Sequence, residues 1–326
     1  MLNFKKNNGF LLCLPAILVC SCSQETQKNN QYFGFNTIIN IKYAGNVDEK
    51  KEDFFATTIS KFDLLFNAHN ENGTIYKINQ SANEFVDHDG SDELLKIAND
   101  YKSETNNVFN PYLKYVSDLW KDSLSNDNLP SFDDINFLNS NALLTSIEIK
   151  ESQVKLVGDG RIDLGGIAKG YLLSKLKPFF SENSITNFIV DAGSSSILLG
   201  EAPSSHNNGF YDVGIYKNNP TSPSRYLRLK NTAIGTSSIY EQKYLKIGDK
   251  IYSHCINGKN GSAEVVNDMV VVIGEDPIMC DVYSTVGMVS TIEEIKYIES
   301  VKPLKFLLFS NDEITYQNAD IQVYIR

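Results

Sequence analysis

Cysteine and histidine are scarce in this chain. Its 326 residues include five cysteines and four histidines, and no spacing among them suggests a zinc site. Cys13, Cys20 and Cys22 fall in an N-terminal segment that reads as a targeting signal. Cys255 and Cys280 remain, in separate motifs, and the sequence leaves open whether they pair. Basic patches are missing as well. Lysine and arginine are scattered, 30 against 40 acidic residues, for a formal net charge of -10. Such a surface repels nucleic acid, so no nucleic-acid partner is expected, and any polyanionic ligand needs a local cation or a metal. No internal repeat or clear linker divides the chain. Neither GxxxxGK[ST] nor GxGxxG occurs. The apolar run Phe10 to Val19 is too short to cross a bilayer as a mature helix.

That run follows Lys5 and Lys6 and precedes small and thiol residues, the pattern of an exported protein's signal. Val19-Cys20-Ser21-Cys22 resembles a bacterial lipobox, with Ser21 before a lipidated Cys22. Bulky Val19 makes Cys20 the poorer candidate, and an ordinary signal peptide cut nearby is the plainer alternative. The expected organisation is a lipoprotein signal peptide over residues 1–21, a polar tether over 22–31 and one catalytic unit over 32–326. The mature protein would be membrane-anchored by lipid and face the extracytoplasmic side. Loss of Lys5 and Lys6 takes the formal charge from -10 to -12.

Ile38, Ile39 and Ile41 suggest an early strand. Helical spacing of Phe54, Phe55, Ile59, Phe62 and Leu65 predicts an amphipathic helix over 48–66. Another is expected over 92–102, with Ser91 as N-cap. Residues 121–142, rich in Asp, Asn and Ser, read mostly as loop. A helix is expected over 169–180, then strands over 187–191, 211–216, 225–229 and 243–247. Met269 to Ile273, a continuous apolar run, fits a buried strand. A helix over 277–289 follows, and Thr291 and Glu294 form a capping-box pattern for the next. Strands over 304–309 and 321–325 close the chain. Helices and strands mix without regular βαβ alternation, so the expected class is α+β, one compact unit of mixed sheets and flanking helices.

Three segments carry chemistry. In Asp163-Leu164-Gly165-Gly166-Ile167-Ala168-Lys169-Gly170, paired glycines let the backbone approach a ligand and take torsions closed to other residues. A helix starting there would aim free N–H groups at an anion, and Lys169 adds a mobile charge. The plainer reading is a structural turn with a surface lysine. In Cys280-Asp281-Val282-Tyr283-Ser284-Thr285, Asp281 and Thr285 share one helix face, a hard-oxygen pair suited to Mg2+. Taken alone, Asp281 is more simply a solvated helical acid. In Tyr252 to Gly261, His254 precedes a glycine-containing turn, where it could act as a base or serve structure only.

In order, DLGGIAKG, DAGSSSILLGE, GTSSIYEQKY, SHCINGKNG and MVVVIG followed by CDVYST resemble the ApbE-like FAD:protein FMN transferases, over nearly the whole chain from Phe33 onward. The resemblance implies an enzyme that uses Mg2+ and FAD to move FMN onto a Thr or Ser hydroxyl of an acceptor flavoprotein, releasing AMP. The acceptor would belong to a membrane redox complex or another extracytoplasmic flavoprotein. Mg2+ would be held by a backbone oxygen of Gly166, by Asp281 and by Thr285. Lys169 would contact FAD and assist catalysis, and His254 would be the base. Further FAD contacts fall near Phe35, near His69 where the family often has an aromatic, at Val108, Phe109 and Asn110, and at Ile256.

Asn110 stands where the family often has Asp. SHCINGKNG departs from the family's SHxIDPxTG at Asn257, Gly258 and Asn260. Glycine for proline removes a fixed torsion, so a looser turn is expected. These departures motivate two other readings: a Mg2+-dependent FAD pyrophosphatase giving FMN and AMP, and a non-catalytic FAD-binding lipoprotein.

Overall fold

The computed structural model describes residues 27–325 apart from 46, 48, 82, 217–222 and 224. The signal segment and Cys22 lie outside the described residues. The chain runs through β1 (Gln27–Gly34), β2 (Thr37–Ala44), α1 (Glu49–Phe66), α2 (Thr74–Gln80), β3 (Phe85–Asp87), α3 (Asp92–Glu104), α4 (Lys114–Ser125), α5 (Phe132–Leu144), β4 (Ser146–Lys150) and β5 (Gln153–Val157). It continues through α6 (Ala168–Glu182), β6 (Phe188–Ala192), β7 (Ser196–Leu199), β8 (Tyr211–Ile215), β9 (Arg225–Leu229) and β10 (Thr232–Ser238). Then come β11 (Leu245–Ile247), β12 (Lys250–Asn257), β13 (Ser262–Val265), β14 (Met269–Gly274), α7 (Pro277–Met288), α8 (Ile292–Val301), β15 (Lys305–Ser310), β16 (Glu313–Gln317) and β17 (Val323–Ile325). The class is α+β, as expected.

The frame is an eight-stranded sheet in the order β1-β2-β6-β7-β10-β14-β15-β16, antiparallel at every pairing. Its central strands are covered on both faces, which is why β14 reads as an unbroken apolar run rather than an alternating one. Val270 and Val272 join the larger core with the helices. Met269, Val271 and Ile273 join a second core that includes Tyr211, Val213 and Leu227 of β8 and β9. The helical face is tied together by aromatic contacts, among them Phe55 of α1 to Phe179 of α6 at 4.4 Å between ring centroids.

Two expectations about loops are corrected. Residues 27–31, assigned to the tether, lie in β1 and pair residue for residue with β2. The strand is polar because it lies at the sheet edge, with alternate residues exposed. Residues 121–142 carry the end of α4 and most of α5 rather than a loop. Their Asp and Ser content is helix-start chemistry: Ser131 caps α5 by accepting from the Asp134 N–H, and Asp133 and Asp134 occupy the first turn, where the helix dipole favours acids. Conversely, Ser91 makes no capping bond before α3; its hydroxyl is buried without a partner. The Thr291–Glu294 capping box forms as read.

Candidate active site

The loop Asp163–Ile167 and the helices α6 and α7 form one corner of a cleft of about 670 Å3. The Asp163 carboxylate accepts from the Gly165 N–H at 2.9 Å and closes the turn. Leu164 and Ile167 anchor it in the core. Neither Gly165 nor Gly166 takes a left-handed torsion, so neither position requires glycine's backbone freedom. A Cβ on Gly166 would lie 3.5 Å from both Thr285 Oγ1 and the Phe109 ring, filling the corner of the cleft.

The decisive glycine is Gly170. A Cβ there would meet the Pro277 carbonyl oxygen at 2.5 Å and Asp281 Cβ at 2.7 Å. Its absence lets α6 and α7 touch, and the Gly170 N–H donates to Asp281 Oδ2 at 2.8 Å. Ser196, at the start of β7, donates to Asp281 Oδ1 at 2.9 Å. Asp281 is therefore a buried, oriented carboxylate, not a solvated helical acid; it is 5% exposed. Behind it, Ser284 donates to the Asp281 carbonyl and bonds Ser237 of β10.

Several of the N–H groups expected to face an anion are already engaged. The N–H of Ala168 bonds to the Leu164 carbonyl, that of Gly170 to Asp281 and that of Tyr171 to the Ile167 carbonyl. The first turn of α6 thus has three donors already engaged. Lys169 is half-buried, lines the cleft and forms no ion pair among the described residues, so its charge is available to an anion.

His254 faces this corner from β12. The β12–β13 ladder loses register between Tyr252 and Asn257, and the irregular stretch carries the imidazole into the cleft, a common use of strand irregularities. Its Nδ1 is buried and unpartnered. Burial, reinforced by the positive charge of Lys169, pushes the His254 pKa down to about 4. The ring is neutral at physiological pH.

All the other residues singled out reach the same cleft: Phe35, His69, Val108, Phe109, Asn110 and Ile256 line it with Gly166, Lys169, Asp281 and Thr285. Their environments differ. His69 is exposed, at a turn where its N–H donates to Asn67 Oδ1. Asn110 is buried and its amide is engaged: Oδ1 accepts from the Tyr112 N–H and Nδ2 donates to the Ala142 carbonyl. An aspartate could not make the second bond. The amide in place of the acid thus secures the wall.

The turn after His254 is not loose. The Gly258 N–H donates to the Val108 carbonyl at 3.0 Å, a bond closed to proline. A Cβ at 258 would lie 2.4 Å from the Asn107 carbonyl oxygen. Asn257 closes the turn on itself through the Lys259 N–H, and Trp120 Nε1 donates to the Gly261 carbonyl at 2.8 Å. The expected loosening is therefore corrected: contacts replace the torsion that proline would fix. Cys255 and Cys280 are both buried, and no disulfide joins them.

Sequence reasoning missed Ser196, Gly170 and Asp63. Ser196 sits within a motif quoted for its resemblance, but nothing local shows that it faces Asp281. Asp63 lies on the predicted helix face beside Phe62, and its partner is on another element.

No curated protein matches the chain significantly. Three solved structures share its fold. The ApbE protein of Thermotoga maritima is 21% identical with a TM-score of 0.77, covering 90% of this chain and 97% of its own. The flavin transferase ApbE of Vibrio cholerae is 17% identical at 0.74, covering 91% and 98%. The flavinyl transferase ApbE of Pseudomonas stutzeri is 16% identical at 0.73, covering 90% and 94%. The model of the ApbE family matches residues 35–308, most of the described fold and every cleft residue named above, and the chain belongs to the ApbE family.

Proposed function

We propose that this protein transfers FMN from FAD to a Thr or Ser hydroxyl of an acceptor protein and releases AMP. The observation that carries the reading is the convergence of Asp281, Thr285, Gly166, Lys169 and His254, from three separate stretches of chain, on one cleft. Family membership and the names of the Vibrio and Pseudomonas neighbours support it.

The donors fit Mg2+. They are hard oxygens, with one carboxylate already oriented by two hydrogen bonds and a space that a Cβ on Gly166 would fill. Mg2+ takes few protein carboxylates and keeps sites for water and substrate phosphate. Asp281, Thr285 and the Gly166 carbonyl would hold it, and bound there it would neutralise charge on the pyrophosphate.

The reaction needs the acceptor oxygen to attack the FMN-side phosphorus. The bond from that phosphorus to the bridging oxygen breaks, and AMP leaves with the electron pair. The hydroxyl proton passes to His254, which lines the cleft and whose neutral state suits a base. Lys169 offsets negative charge on the phosphates. The pinned 257–261 turn removes the motive for a hydrolase reading, and the engaged Asn110 amide removes one of the two motives for a non-catalytic one.

Lipidation at Cys22 would hold the domain at the extracytoplasmic membrane surface, near membrane redox acceptors; the support is the lipobox-like sequence. The test is incubation with FAD, Mg2+ and a Thr-containing acceptor peptide, read by mass. Flavinylated peptide and AMP should appear together and vanish in Asp281→Ala. FAD bound tightly with no transfer to any acceptor would count against the reading.

A further inference from the structure

The His254 imidazole makes no hydrogen bond among the described residues, and its Nδ1 is buried. A histidine that moves protons is ordinarily oriented by a hydrogen bond to its second ring nitrogen. Here no side chain supplies that bond among the described residues. The direction of the ring is therefore set by its backbone and by packing.

The backbone there is irregular, and two side chains fix its shape. Tyr252 pairs with Glu264 and Asn257 with Ser262, so residues 253, 254, 255 and 256 of β12 stand opposite Ala263 alone. One residue of β13 cannot serve all their N–H groups, and each needs a partner elsewhere. Ser253 serves one of them. It is fully buried, and its Oγ accepts the Cys255 N–H at 3.1 Å. That bond spans His254, joining the residue before it to the residue after it. A hydroxyl bonded to the backbone two residues on bends the chain between them.

Beyond the bend, α5 holds the turn in which β12 ends. Asn139 of α5 is buried. With the amide oriented by its partners, its nitrogen donates to the Gly258 carbonyl and its oxygen accepts from the Gly261 N–H, both at 3.2 Å. Gly261 is left-handed at φ 70°, and a Cβ there would lie 2.9 Å from Asn139 Cβ. The turn thus lies directly on the helix.

We infer that Ser253 and Asn139 are positioning residues for His254: Ser253 sets the bend that aims the imidazole into the cleft, and Asn139 anchors the turn in which that bend ends. The inference rests on the reading of His254 as the base. Neither Ser253 nor Asn139 is among the residues lining the cleft, so both act through the imidazole.

The test is transfer to the acceptor peptide, with FAD affinity read separately by quenching of flavin fluorescence. Ser253→Ala should lower kcat about 10–10^2-fold, as expected of a misplaced catalytic group. It should leave KM for the peptide and FAD affinity within about twofold of wild type. Asn139→Ala should act in the same direction. In a His254→Gln background neither substitution should slow transfer further, because each acts through the imidazole. A crystal structure of Ser253→Ala should show the imidazole turned from its wild-type position while Lys169 and Asp281 keep theirs. Effects that multiply with His254→Gln, a wild-type kcat in Ser253→Ala, or an unmoved imidazole would overturn the inference and leave the base reading standing. His254→Gln transferring at the wild-type rate would overturn the base reading, and the inference with it. If wild type transfers no FMN, the flavin reading fails, and the imidazole position in Ser253→Ala decides the inference. If Ser253→Ala does not fold, Asn139→Ala decides by the same kcat and double-variant comparison.

Discussion

Replacing Gly170 by alanine sets two effects of opposite sign against each other. In a helix interior alanine is favoured over glycine by about 1 kcal/mol. Against this, the new methyl would lie 2.5 Å from the Pro277 carbonyl oxygen, 2.7 Å from Asp281 Cβ and 2.8 Å from Ile278 Cα. Two of these are backbone atoms of α7 and cannot swing aside, so the helices must separate. Overpacking of this kind costs about 1–3 kcal/mol. The net is a loss of up to about 2 kcal/mol, or a Tm lower by about 2–6 °C for a domain of this size. Activity should fall further than stability. The backbone N–H at 170 survives, but α7 carries Asp281 and Thr285 away from Gly166 and Lys169, and a displacement near 1 Å can cost about 10^2-fold in rate. Differential scanning calorimetry and the peptide-transfer assay, run on the same preparation, give both numbers. A Gly170→Ala protein that melts at or above wild type with full transfer would refute the account of why α6 and α7 touch.

Ser196→Ala should retain the fold and weaken Mn2+ or Mg2+ binding about 10-fold, since a hydrogen bond that orients the Asp281 carboxylate is lost; titration calorimetry reads this. His254→Gln should lower transfer by about 10^2–10^4-fold while FAD affinity stays within about twofold. Because His254 is pushed down to about 4 from 6.5, the folded protein takes up this proton less readily than the unfolded chain. Its contribution to stability is thus undiminished above about pH 6.5 and is lost as pH falls toward about 4, by at most about 3 kcal/mol. In urea titrations wild type should lose stability relative to His254→Gln as pH falls from about 6.5 to about 4, and the two should run parallel above about pH 6.5. Gly258→Pro, toward the family's usual residue, should destabilise rather than rigidify: it removes the N–H to Val108 and drives a ring into the Asn107 carbonyl. Thermal melts and transfer rates should both fall, and a higher Tm would contradict the packing described.

Much of the helix and strand pattern was legible, because it follows from apolar period. The helix carrying Phe55, Ile59 and Leu65, the buried strand at Met269, and the Thr291 cap all needed only near neighbours. The readings that failed were those in which polar residues serve two ends. Asp133, Asp134 and Ser131 look like loop composition and are a helix start. The polar residues after Cys22 look like a tether, yet from Gln27 they pair with β2. Composition cannot distinguish a solvated loop from a capped helix or an edge strand when the residue types are shared.

For the site, the sequence by itself determined the chemical inventory: a lysine beside paired glycines, a carboxylate and a hydroxyl one helical turn apart, and a histidine before a turn. Those signals are local and depend on residue type and spacing. The tertiary structure decided what each one does. Asp281 became a buried, oriented carboxylate because Gly170 and Ser196, far from it in sequence, hand it two donors. One donor at the start of α6, the Gly170 N–H, is spent on that same carboxylate rather than left free. Gly258 tightened a turn that proline's absence was expected to loosen, because its N–H meets the Val108 carbonyl. In each case the deciding contact joins segments distant along the chain, and its strength depends on tenths of an ångström between backbones, which no reading of residue types can supply.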